Sequence, residues 1–471
     1  MVRTMAAPQS APLRFKKLKN LGKRKTVLTL GSLLAHASDN SIIRMTSVLE
    51  RVAMKDYYRK AIREMRLKFE EGHPSLAWVM HIVRDLDPVY RRKLLENLVL
   101  NHLVFGTEKR QQCLEEQGVY PPSAVLFSPL MDCNLKCTGC YSATYQRRER
   151  LSIDVLSRVV NEIKEVGTHL MFISGGEPFI RQDLFELYEE HDDCMFGVFT
   201  NGTLLDEKAC RRILDLGNVV PFISVEGLER ETDLRRGKGH FSNIRRAMAM
   251  LSEARSLFGY SVTATRHNAE LVSSDAFVDY YAAKGCLLGW YFSYVPVGRE
   301  PDVNLMCTPE QRLQLREGIK RIRATRAMGV IDFWNDGHLT GGCISAGRKY
   351  LHINHRGDVE PCAFVHFSDT NIHDHSFVDA LRSPYLQEIR SHQPFDKNFM
   401  RPCQIIDRPE VLRECVNCTD AKSSDGTSDL LLGEIADDLD RYSREFGDLA
   451  NQVWEEELEQ DRTSGPDGTA R

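Results

Sequence analysis

The feature that most constrains this chain is a group of three cysteines in one short segment, MDCNLKCTGCY. Cys133, Cys137 and Cys140 follow a C-x3-C-x2-C spacing. Thiolates at this spacing can bind three irons of a four-iron cluster and leave the fourth iron without a protein ligand. A closed cluster or a structural zinc site needs a fourth cysteine or histidine, and none follows within the segment. The spacing favours a cluster with one open iron, and a zinc site with a remote fourth ligand is the alternative.

Length, charge and cysteine use narrow the class of protein. A chain of 471 residues is long enough for two or three domains with a large core. The net charge of −4 is small for this length, so we expect no nucleic-acid partner. The 13 cysteines do not form the dense framework of a secreted disulfide protein, and those that cluster do so at metal-ligand spacings. This pattern indicates a reducing cytoplasm.

From residue 122 onward, short apolar runs alternate with amphipathic helical segments. The runs predicted as strands are Ala124 to Phe127, Leu170 to Ser174, Met195 to Phe199, Val219 to Val225, Ser261 to Thr265 and Leu287 to Tyr294. Helices are predicted after the Ser152 N-cap and at Leu184 to Glu190, Glu207 to Leu216, Asn243 to Glu253 and Asp275 to Ala283. Six such units predict an α/β fold with a parallel sheet, curved into a partial (βα)6 barrel. Active sites of such sheets lie at the carboxyl ends of the strands.

Small and polar residues follow three of these strands directly. The second strand leads into SGGEP from Ser174, the third into FTNG from Phe199, and the fourth into SVEG from Ser224. Glycines let a small ligand approach the backbone, and the carboxylate of Glu177 could accept a hydrogen bond from an ammonium group. Each motif alone is usually just a turn. Together with the cysteine segment they predict one ligand site at one edge of the sheet.

The cysteine spacing together with GGEP, TNG and SVEG after successive strands resembles the radical S-adenosylmethionine (radical SAM) superfamily, over about residues 122–298. The resemblance implies an enzyme in which AdoMet chelates the open iron of a [4Fe-4S] cluster. One electron then cleaves AdoMet to methionine and a 5′-deoxyadenosyl radical, which abstracts hydrogen from a substrate carbon. It further implies an external one-electron donor of the flavodoxin or ferredoxin type. The AdoMet contacts that it implies are Gly175, Gly176, Glu177, Asn201, Ser224, Glu226 and Arg266.

Two positions depart from the family pattern. Gly139 stands just before the last cysteine, where an aromatic residue is commoner, and Glu226 stands where the family has aspartate. The resemblance also implies that Tyr294 to Gly298 form a wall on the adenine side. The basic segment Asp233 to His240 has two interpretations, an exposed loop that opens the next helix or an anchor for an anionic substrate group through Arg235 and Arg236.

Beyond residue 300 a helix is predicted from Pro309 to Ala327, followed by a small α+β iron–sulfur domain. An Arg-Gly-Asp turn between apolar alternations predicts a β-hairpin near residues 350–360. The cysteines of this region resemble the SPASM or twitch extension of radical SAM enzymes, which holds auxiliary [4Fe-4S] clusters. The implied ligands are Cys343, Cys362 and Cys403, with Cys415 or Cys418 as the fourth. Five thiols suit one closed cluster better than two, the cluster count stays open, and zinc is the alternative.

The flanking regions are predicted to be helical. The segment Arg91 to Val104 should present a wide apolar face, formed by Leu94, Leu95, Leu98, Val99, Leu103 and Val104. Such a face either packs against the catalytic domain or walls a groove for a greasy substrate. An acidic helix is predicted from Leu430 to Glu459, followed by a disordered tail. The predicted domains are residues 1–120, a helical extension with a basic start; 121–300, the barrel; 301–425, the auxiliary-cluster domain; and 426–471, the acidic helix and tail.

The N-terminus imitates a secretory signal. The basic run Arg14 to Lys25 precedes the apolar run Val27 to Leu34. The basic run is late and long, and exporting an oxygen-sensitive cluster enzyme makes little sense, so we expect a cytoplasmic protein. No segment reaches the roughly 20 apolar residues of a transmembrane helix. The N-terminal segment could contact an anionic membrane surface, or it could be a solvated tail.

The substrate has several interpretations. The apolar N-terminal helix and the segment from Tyr350 through Asp407 resemble radical SAM proteins that act on membrane lipids, including archaeal tetraether-type enzymes. We therefore expect modification of a lipid or isoprenoid chain first. Peptide or protein maturation comes second, because residues 1–120 indicate helices rather than the small β-wing of a leader-binding module. A non-enzymatic iron–sulfur or zinc binding module is the third interpretation, and it would require GGEP and its partner motifs to be accidental.

Overall fold

A curled parallel sheet forms the centre of the molecule. The structure is a computed structural model that describes residues 38–52, 56–145 and 149–463. Neighbouring strands follow the order β7-β6-β5-β4-β3-β2-β1-β8-β9, so the first seven lie in chain order across the sheet. Their bounds are β1 Ala124–Phe127, β2 Leu170–Ile173, β3 Met195–Thr200, β4 Val219–Val225, β5 Gly259–Ala264, β6 Leu288–Ser293, β7 Gly329–Asp332, β8 Tyr350–Ile353 and β9 Val359–Glu360.

Amphipathic helices cover the outer face of this sheet. In α6, Ile153–Glu165, the Ser152 side chain accepts a hydrogen bond from the backbone N–H of Val155, and the expected apolar face is buried. The helices of the barrel region are α6, α7 Leu184–Glu190, α8 Glu207–Leu216, α9 Glu229–Arg236, α10 His240–Glu253, α11 Ala269–Val272 and α12 Asp275–Ala282. The α/β fold with a curved parallel sheet predicted from the sequence is thereby confirmed. The structure differs from the prediction at residues 233–236, which lie in α9 rather than in an exposed loop.

The hairpin predicted near residues 350–360 is present, but it does not stand apart from the barrel. Strands β8 and β9 pair antiparallel, and β8 also pairs in parallel with β1, with Ala124 opposite Tyr350 and Phe127 opposite Ile353. The hairpin therefore continues the barrel sheet on the far side of β1. Strand β7, which follows α13 Pro309–Thr325, extends the opposite edge and was not anticipated. The proposed boundary at residue 300 is thus not a boundary of the sheet.

The remaining elements of the C-terminal region are short, apart from one long helix. They are α14 Gly337–Thr340, β10 Phe367–Ser368, α15 Phe377–Ala380, α16 Pro384–Ser391, α17 Pro409–Asn417, β11 Lys422–Ser423 and α18 Ala436–Thr463. Strands β10 and β11 form a separate antiparallel pair. The long helix α18 packs on α13, where Glu457 accepts hydrogen bonds from Arg316 at 2.8 and 2.9 Å. The acidic helix thus starts a few residues later than predicted.

Helices at the amino-terminal side pack beneath the barrel. They are α1 Asp39–Val52, α2 Asp56–Glu70, α3 Ser75–Arg84, α4 Pro88–Lys93, a π-helix Leu94–Gly106 and α5 Thr107–Gln117. The Asn97 amide donates to the carbonyl oxygens of Asp192 and Cys194, just before β3. The Lys93 ammonium lies 2.8 Å from the Asp192 carboxylate. This end of the sheet is opposite to the carboxyl ends of the strands, so these helices pack against the barrel and do not wall a groove at the carboxyl ends.

The winding of the π-helix changes which of its residues face inward. An α-helical period predicted an inward face that includes Leu103, yet Leu103 is 45% exposed whereas Asn97 is 1% exposed. A π-helix closes its hydrogen bonds one residue later than an α-helix, so its side chains are spaced differently around the axis. The predicted basic and apolar runs between residues 14 and 34 and the predicted tail lie outside the described residues. Within those residues, the helices are all too short or too polar to cross a membrane.

Candidate functional site

The cysteine segment after β1 is held by the turn that follows β2. The backbone N–H of Gly176 donates to the Leu130 carbonyl at 3.0 Å, and that of Glu177 donates to the Asp132 carbonyl at 2.8 Å. A side chain on Gly176 would place its Cβ 2.0 Å from the Asp132 oxygen. Gly175 has φ of +101°, and its Cβ would lie 2.2 Å from the Leu130 oxygen. Both glycines therefore allow close contact with the cysteine segment, which the sequence alone did not reveal.

Gly139 shows how the departure from the family pattern is accommodated. It adopts φ of +62°, and a Cβ there would lie 2.7 Å from the ring of Tyr294. Tyr294 follows β6, and the space that a side chain at 139 would need is occupied by its ring. An aromatic ring thus lies against this part of the cysteine segment, although it comes from another strand.

The three thiols line one cavity at the carboxyl ends of the strands. Cys133, Cys137 and Cys140 share this cavity with Gly175, Gly176, Asn201 and Ser224. Burial raises the pKa of the Cys133 and Cys137 thiols, because the thiolate form is poorly solvated there. A bound cation such as iron would favour the thiolate form and reverse this effect. The structure thus brings together the cysteines and four of the seven AdoMet contacts implied by the sequence.

Aromatic side chains form the floor and far wall of the cavity, a feature that the sequence motifs did not indicate. Trp290 lies at the centre, with ring centroids 5.0 Å from Phe172 and 5.6 Å from Phe199. The complete aromatic lining is Tyr141, Phe172, Phe199, Trp290, Phe292, Tyr294, Phe333, Tyr350 and Phe364. Large apolar residues at alternate positions of β6, namely Leu288, Trp290 and Phe292, were the available signal, because alternate residues of a strand share one face.

The Asn201 side chain lies close to the cysteine segment, and the Ser224 hydroxyl lies at the cavity. The Asn201 amide donates to the Asn134 side chain at 2.9 Å and lies 3.9 Å from the Cys133 sulfur. The Ser224 hydroxyl lies 3.3 Å from that of Ser261, a long contact that leaves it available to a ligand. Ribose contacts by these two residues remain a proposal that this arrangement supports.

Glu177 is engaged differently from the prediction. Its carboxylate accepts hydrogen bonds from the Asn201 backbone N–H at 2.7 Å, the Thr200 hydroxyl at 2.7 Å and the Phe179 N–H at 3.2 Å. It is fully buried and is not among the residues that line the cavity. The side chain thereby fixes the turn after β3, and the expected contact with an ammonium group remains a prediction.

Glu226 and Arg266 also lie outside the cavity lining. The Glu226 carboxylate is paired with the guanidinium groups of Arg235 and Arg236, at 2.6 Å each. The Arg266 side chain is exposed, and its Nε donates to the Met306 carbonyl at 3.3 Å. Both side chains are engaged within the protein, and the ribose contact expected of Glu226 and the carboxylate contact expected of Arg266 remain predictions. Neither Arg235 nor Arg236 is a free anchor, because both share Glu226.

The cysteines of the C-terminal region fall into two groups. Burial raises the pKa of the Cys362 thiol, and the nearby charges of Cys343 and Cys403 raise it further. Burial raises the pKa of Cys415 to about 12, and the neighbouring charges there include Cys418, whose side chain is exposed. Electrostatic proximity thus links Cys343, Cys362 and Cys403 as one candidate ligand set, with Cys415 and Cys418 as a neighbouring pair. The identity of a fourth ligand remains a proposal.

Side chains connect the two cysteine sites directly. The Tyr141 ring, next to Cys140, lies 5.2 Å from the Phe364 ring, two residues after Cys362. The Tyr145 hydroxyl donates to the Glu360 carboxylate at 2.8 Å. The cavity itself reaches Lys349, Tyr350 and Phe364 on this side. The segment that follows the cysteine loop and the hairpin that carries Cys362 therefore form one wall.

Another group of potential metal ligands lies at the opposite ends of the strands. The Nδ1 atom of His169 lies 3.9 Å from the Cys194 sulfur and 4.0 Å from the Asp193 carboxylate. The Lys164 ammonium already pairs with that carboxylate at 2.8 Å, and the Asp193 carbonyl lies 3.2 Å from His169 Nδ1. The Lys164 ammonium provides the positive charge that the Asp193 carboxylate needs, so we assign no metal ion to this group.

Comparison with known proteins now identifies the family. The model of the radical SAM superfamily matches residues 128–264, and that of the SPASM iron–sulfur cluster-binding domain matches residues 343–419. Mycofactocin maturase MftC of Mycolicibacterium smegmatis is 30% identical over 309 residues, which cover 61% of this chain and 74% of that protein. The chain belongs to the radical SAM superfamily. It is a radical SAM enzyme with a SPASM domain, as the cysteine and turn motifs predicted.

Two further known proteins are similar to this chain. The AdoMet-dependent heme synthase of Oleidesulfovibrio alaskensis is 24% identical over 56% of this chain and 76% of that protein. The structure of Streptococcus suis SuiB bound to S-adenosylmethionine has a TM-score of 0.54 at 18% identity, over 70% of this chain and 87% of SuiB. The likeness to SuiB shows the shared fold.

Family membership defines the cofactors and the electron source. They are a [4Fe-4S] cluster that binds AdoMet, at least one auxiliary cluster and AdoMet itself, and the enzyme needs an external one-electron donor. The donor set fits this assignment, because the described residues of the cavity lining offer three thiols and no fourth cysteine or histidine. When bound, the cluster and AdoMet supply one-electron cleavage of AdoMet and, through it, hydrogen abstraction from an unactivated carbon. Cys133, Cys137 and Cys140 would hold the cluster, and the aromatic walls of the cavity would exclude water from it.

Proposed function

We propose that this radical SAM enzyme is a maturase that modifies a peptide or protein at an unactivated carbon. The observation that carries the proposal is the 30% identity to mycofactocin maturase MftC. SuiB, which shares the fold, has been solved with its precursor peptide SuiA, and that structure has a TM-score of 0.53 at 17% identity, over 63% of this chain and 74% of SuiB. These two comparisons favour the second substrate class considered from the sequence over a lipid chain.

The cavity supports a particular kind of peptide side chain. Its walls are largely aromatic, and the buried indole Nε1 of Trp290 has no hydrogen-bond partner among the described residues. The charged residues of the described lining are Arg235, Arg236 and Lys349, whereas Asp and Glu are missing from that lining. A free ammonium group would meet like charge there without a carboxylate to pair with. The modified residue therefore has an aromatic, aliphatic or acidic side chain rather than a lysine side chain.

Modification of a lipid chain is the weaker alternative. Its main support was a greasy wall formed by the N-terminal helices. Those helices contact the segments before β2 and β3, at the end of the sheet opposite to the cysteine loop. They contribute no residue to the described cavity lining. A contact with a membrane surface likewise has no support in the described part of the chain.

The electron donor is proposed to be a small flavodoxin or ferredoxin. Such a donor approaches the cluster from the outer side of the cysteine loop, where Lys136 and Arg299 lie beside the cysteines. Arg299 donates through its Nη1 to the Cys137 carbonyl at 3.4 Å and through its backbone N–H to the Cys140 carbonyl at 3.0 Å. Cationic residues near this surface suit the acidic surface of such a protein.

Incubation with peptides tests the proposed function. The enzyme is reconstituted anaerobically and incubated with dithionite, AdoMet and peptides encoded by short reading frames beside its gene. Liquid chromatography and mass spectrometry then measure 5′-deoxyadenosine and peptide mass together. We expect a mass change in one peptide that accompanies 5′-deoxyadenosine formation, and loss of that mass change when AdoMet is omitted.

The same experiment includes a lipid arm as its control. Extracted lipids, presented in detergent micelles, replace the peptide under identical conditions. A modified lipid together with unmodified peptides would overturn the peptide proposal and favour the lipid alternative. Formation of 5′-deoxyadenosine in the absence of any substrate would report only uncoupled cleavage, so the mass change of the peptide is the deciding measurement.

A further inference from the structure

Glu226 forms a buried ion-pair group with two consecutive arginines. The carboxylate is 1% exposed, and it accepts hydrogen bonds from Arg235 Nη1 at 2.6 Å and from Arg236 Nε at 2.7 Å. Both arginines lie in the last turn of α9 and line the cavity, whereas Glu226 stands behind them at the end of β4. A buried carboxylate needs such pairing to stay charged. Two guanidinium groups and one carboxylate leave a net charge of about +1 on this group, which we call the Glu226 clamp.

Arg235 fastens the clamp to the cysteine loop. Its Nε donates to the Thr138 carbonyl at 3.1 Å, and its Nη2 donates to the Gly139 carbonyl at 3.3 Å. Its own backbone carbonyl accepts a hydrogen bond from the Thr138 N–H at 3.2 Å. Thr138 and Gly139 are the two residues between Cys137 and Cys140. Three hydrogen bonds thus connect one arginine to the part of the loop that separates two cluster ligands.

Arg236 contributes charge rather than contacts to the loop. Its guanidinium lines the same cavity as Cys137 and Cys140, so its positive charge lies on the side of the cluster site. Reduction adds an electron to a cluster, so a nearby positive charge stabilises the reduced state and raises the reduction potential. The Glu226 carboxylate lies behind the arginines and partly offsets this effect.

We propose that the Glu226 clamp positions the AdoMet-binding cluster and sets its reduction potential, with Arg235 seating the loop and Arg236 supplying the charge. Glu226, expected from its motif to contact ribose, instead orients the two arginines. The proposal depends on the radical SAM assignment and not on the identity of the substrate. Its failure is therefore distinguishable from failure of the maturase proposal.

Redox titration of two variants that change the charge and one that retains it tests the proposal. Electron paramagnetic resonance follows the reduced cluster whose signal changes when AdoMet is added, which separates it from auxiliary clusters. For Arg236→Gln we expect the ratio of reduced to oxidised cluster at a fixed potential to fall about three- to tenfold, where tenfold corresponds to a shift of about 59 mV for one electron. Arg236→Lys should restore most of the ratio. Glu226→Gln should raise it, because the clamp then carries more positive charge.

The opposite signs separate an electrostatic role from simple damage to the structure. A misfolded loop would shift both variants in the same direction or remove the cluster from both. Arg245→Gln is the matched control, because Arg245 is an exposed arginine of α10 outside the cavity lining, and it should leave the ratio unchanged. If Arg236→Gln cannot hold the cluster, the Glu226→Gln titration decides, with an upward shift supporting the proposal and no shift overturning it.

Arg235 has its own test, because its role is to seat the loop. Arg235→Lys retains the charge but loses the fork of donors that reaches two carbonyl groups. We expect faster loss of iron to a chelator than in the wild type. In the cluster that remains, the ratio of reduced to oxidised cluster at the fixed potential should be nearly unchanged. Equal iron loss in Arg235→Lys and Arg245→Gln would contradict this role of Arg235.

Discussion

The Tyr294 ring packs against Gly139 of the cysteine loop, although the two residues are far apart in the chain. The ring of Tyr294 lies where a side chain at position 139 would need to be. Glu226 shows the same dependence on distant residues, since its carboxylate is bound by two arginines that its motif does not include. Thr200 and Asn201 likewise determine what Glu177 does. At this scale, a motif identifies the residue type, whereas its neighbours determine its role.

Cysteine substitutions test the assignment of cluster ligands. Cys137→Ala should abolish 5′-deoxyadenosine formation and lower the iron content by about four atoms per chain, because the cluster then keeps only two ligands. The matched control is Cys210→Ala, since Cys210 is buried in α8, away from the cavity lining. Chromatography and iron analysis measure the two quantities. Normal cleavage by Cys137→Ala would contradict the assignment.

Among the elements, the cysteine loop and the GGEP turn form one unit. The loop follows β1 and the turn follows β2, and these strands pair in parallel with Phe127 opposite Ile173. The two segments therefore emerge side by side, and backbone hydrogen bonds of 2.8 and 3.0 Å join them. The N–H groups of Gly176 and Glu177 are used within the protein, so the glycines serve the loop as well as the ligand.

Adding one methyl group at Gly176 should separate these segments. In Gly176→Ala the new Cβ would lie 2.0 Å from the Asp132 carbonyl oxygen, so the loop has to move. We expect AdoMet binding to weaken at least about tenfold, or ~1.4 kcal/mol, as measured by equilibrium dialysis of the reconstituted enzyme. Gly433→Ala provides the control, because the space around Gly433 is open. Unchanged affinity in Gly176→Ala would show that the loop tolerates the shift.

For the whole molecule, the continuous sheet brings two cysteine sites to one cavity. The pairing of β8 with β1 places the hairpin that leads to Cys362 beside the strand that leads to Cys133. Phe364 and Tyr350 then contribute to the cavity wall. The SPASM domain therefore contributes part of the wall of the cavity that contains the cysteine loop, in addition to carrying an auxiliary cluster.

Removal of an auxiliary ligand should separate AdoMet cleavage from product formation. Cys362→Ala leaves the first cysteine loop intact, so 5′-deoxyadenosine should still form, while modified product falls more than about tenfold. Cys286→Ala is the control, because Cys286 is also buried but lies outside the cavity. Mass spectrometry of product and 5′-deoxyadenosine in one reaction measures both. Equal loss of the two compounds would show that Cys362 supports the first cluster instead.

The local sequence determined most strands and helices of the barrel, because apolar periodicity and turn residues act over short distances. The spacing of the three cysteines also predicted a cluster-binding loop. The occurrence of this loop together with the GGEP, TNG and SVEG turns indicated the radical SAM family. The proposed domain boundaries and the metal-ligand and AdoMet-contact roles remain predictions. The pitch of the π-helix and strand β7 escaped prediction, since tertiary packing outweighs the weak preferences of such segments.

Only the tertiary structure decided how the site is assembled. It joined the hairpin at β8 to β1, paired Glu226 with two arginines, left Arg266 exposed, and collected aromatic side chains from four strands and the loops that follow strands. The physical reason is that each of these outcomes depends on which residues meet across the sheet. A hydrogen bond or an ion pair between residues distant in sequence leaves no periodic signal, so it becomes visible only when the chain is folded.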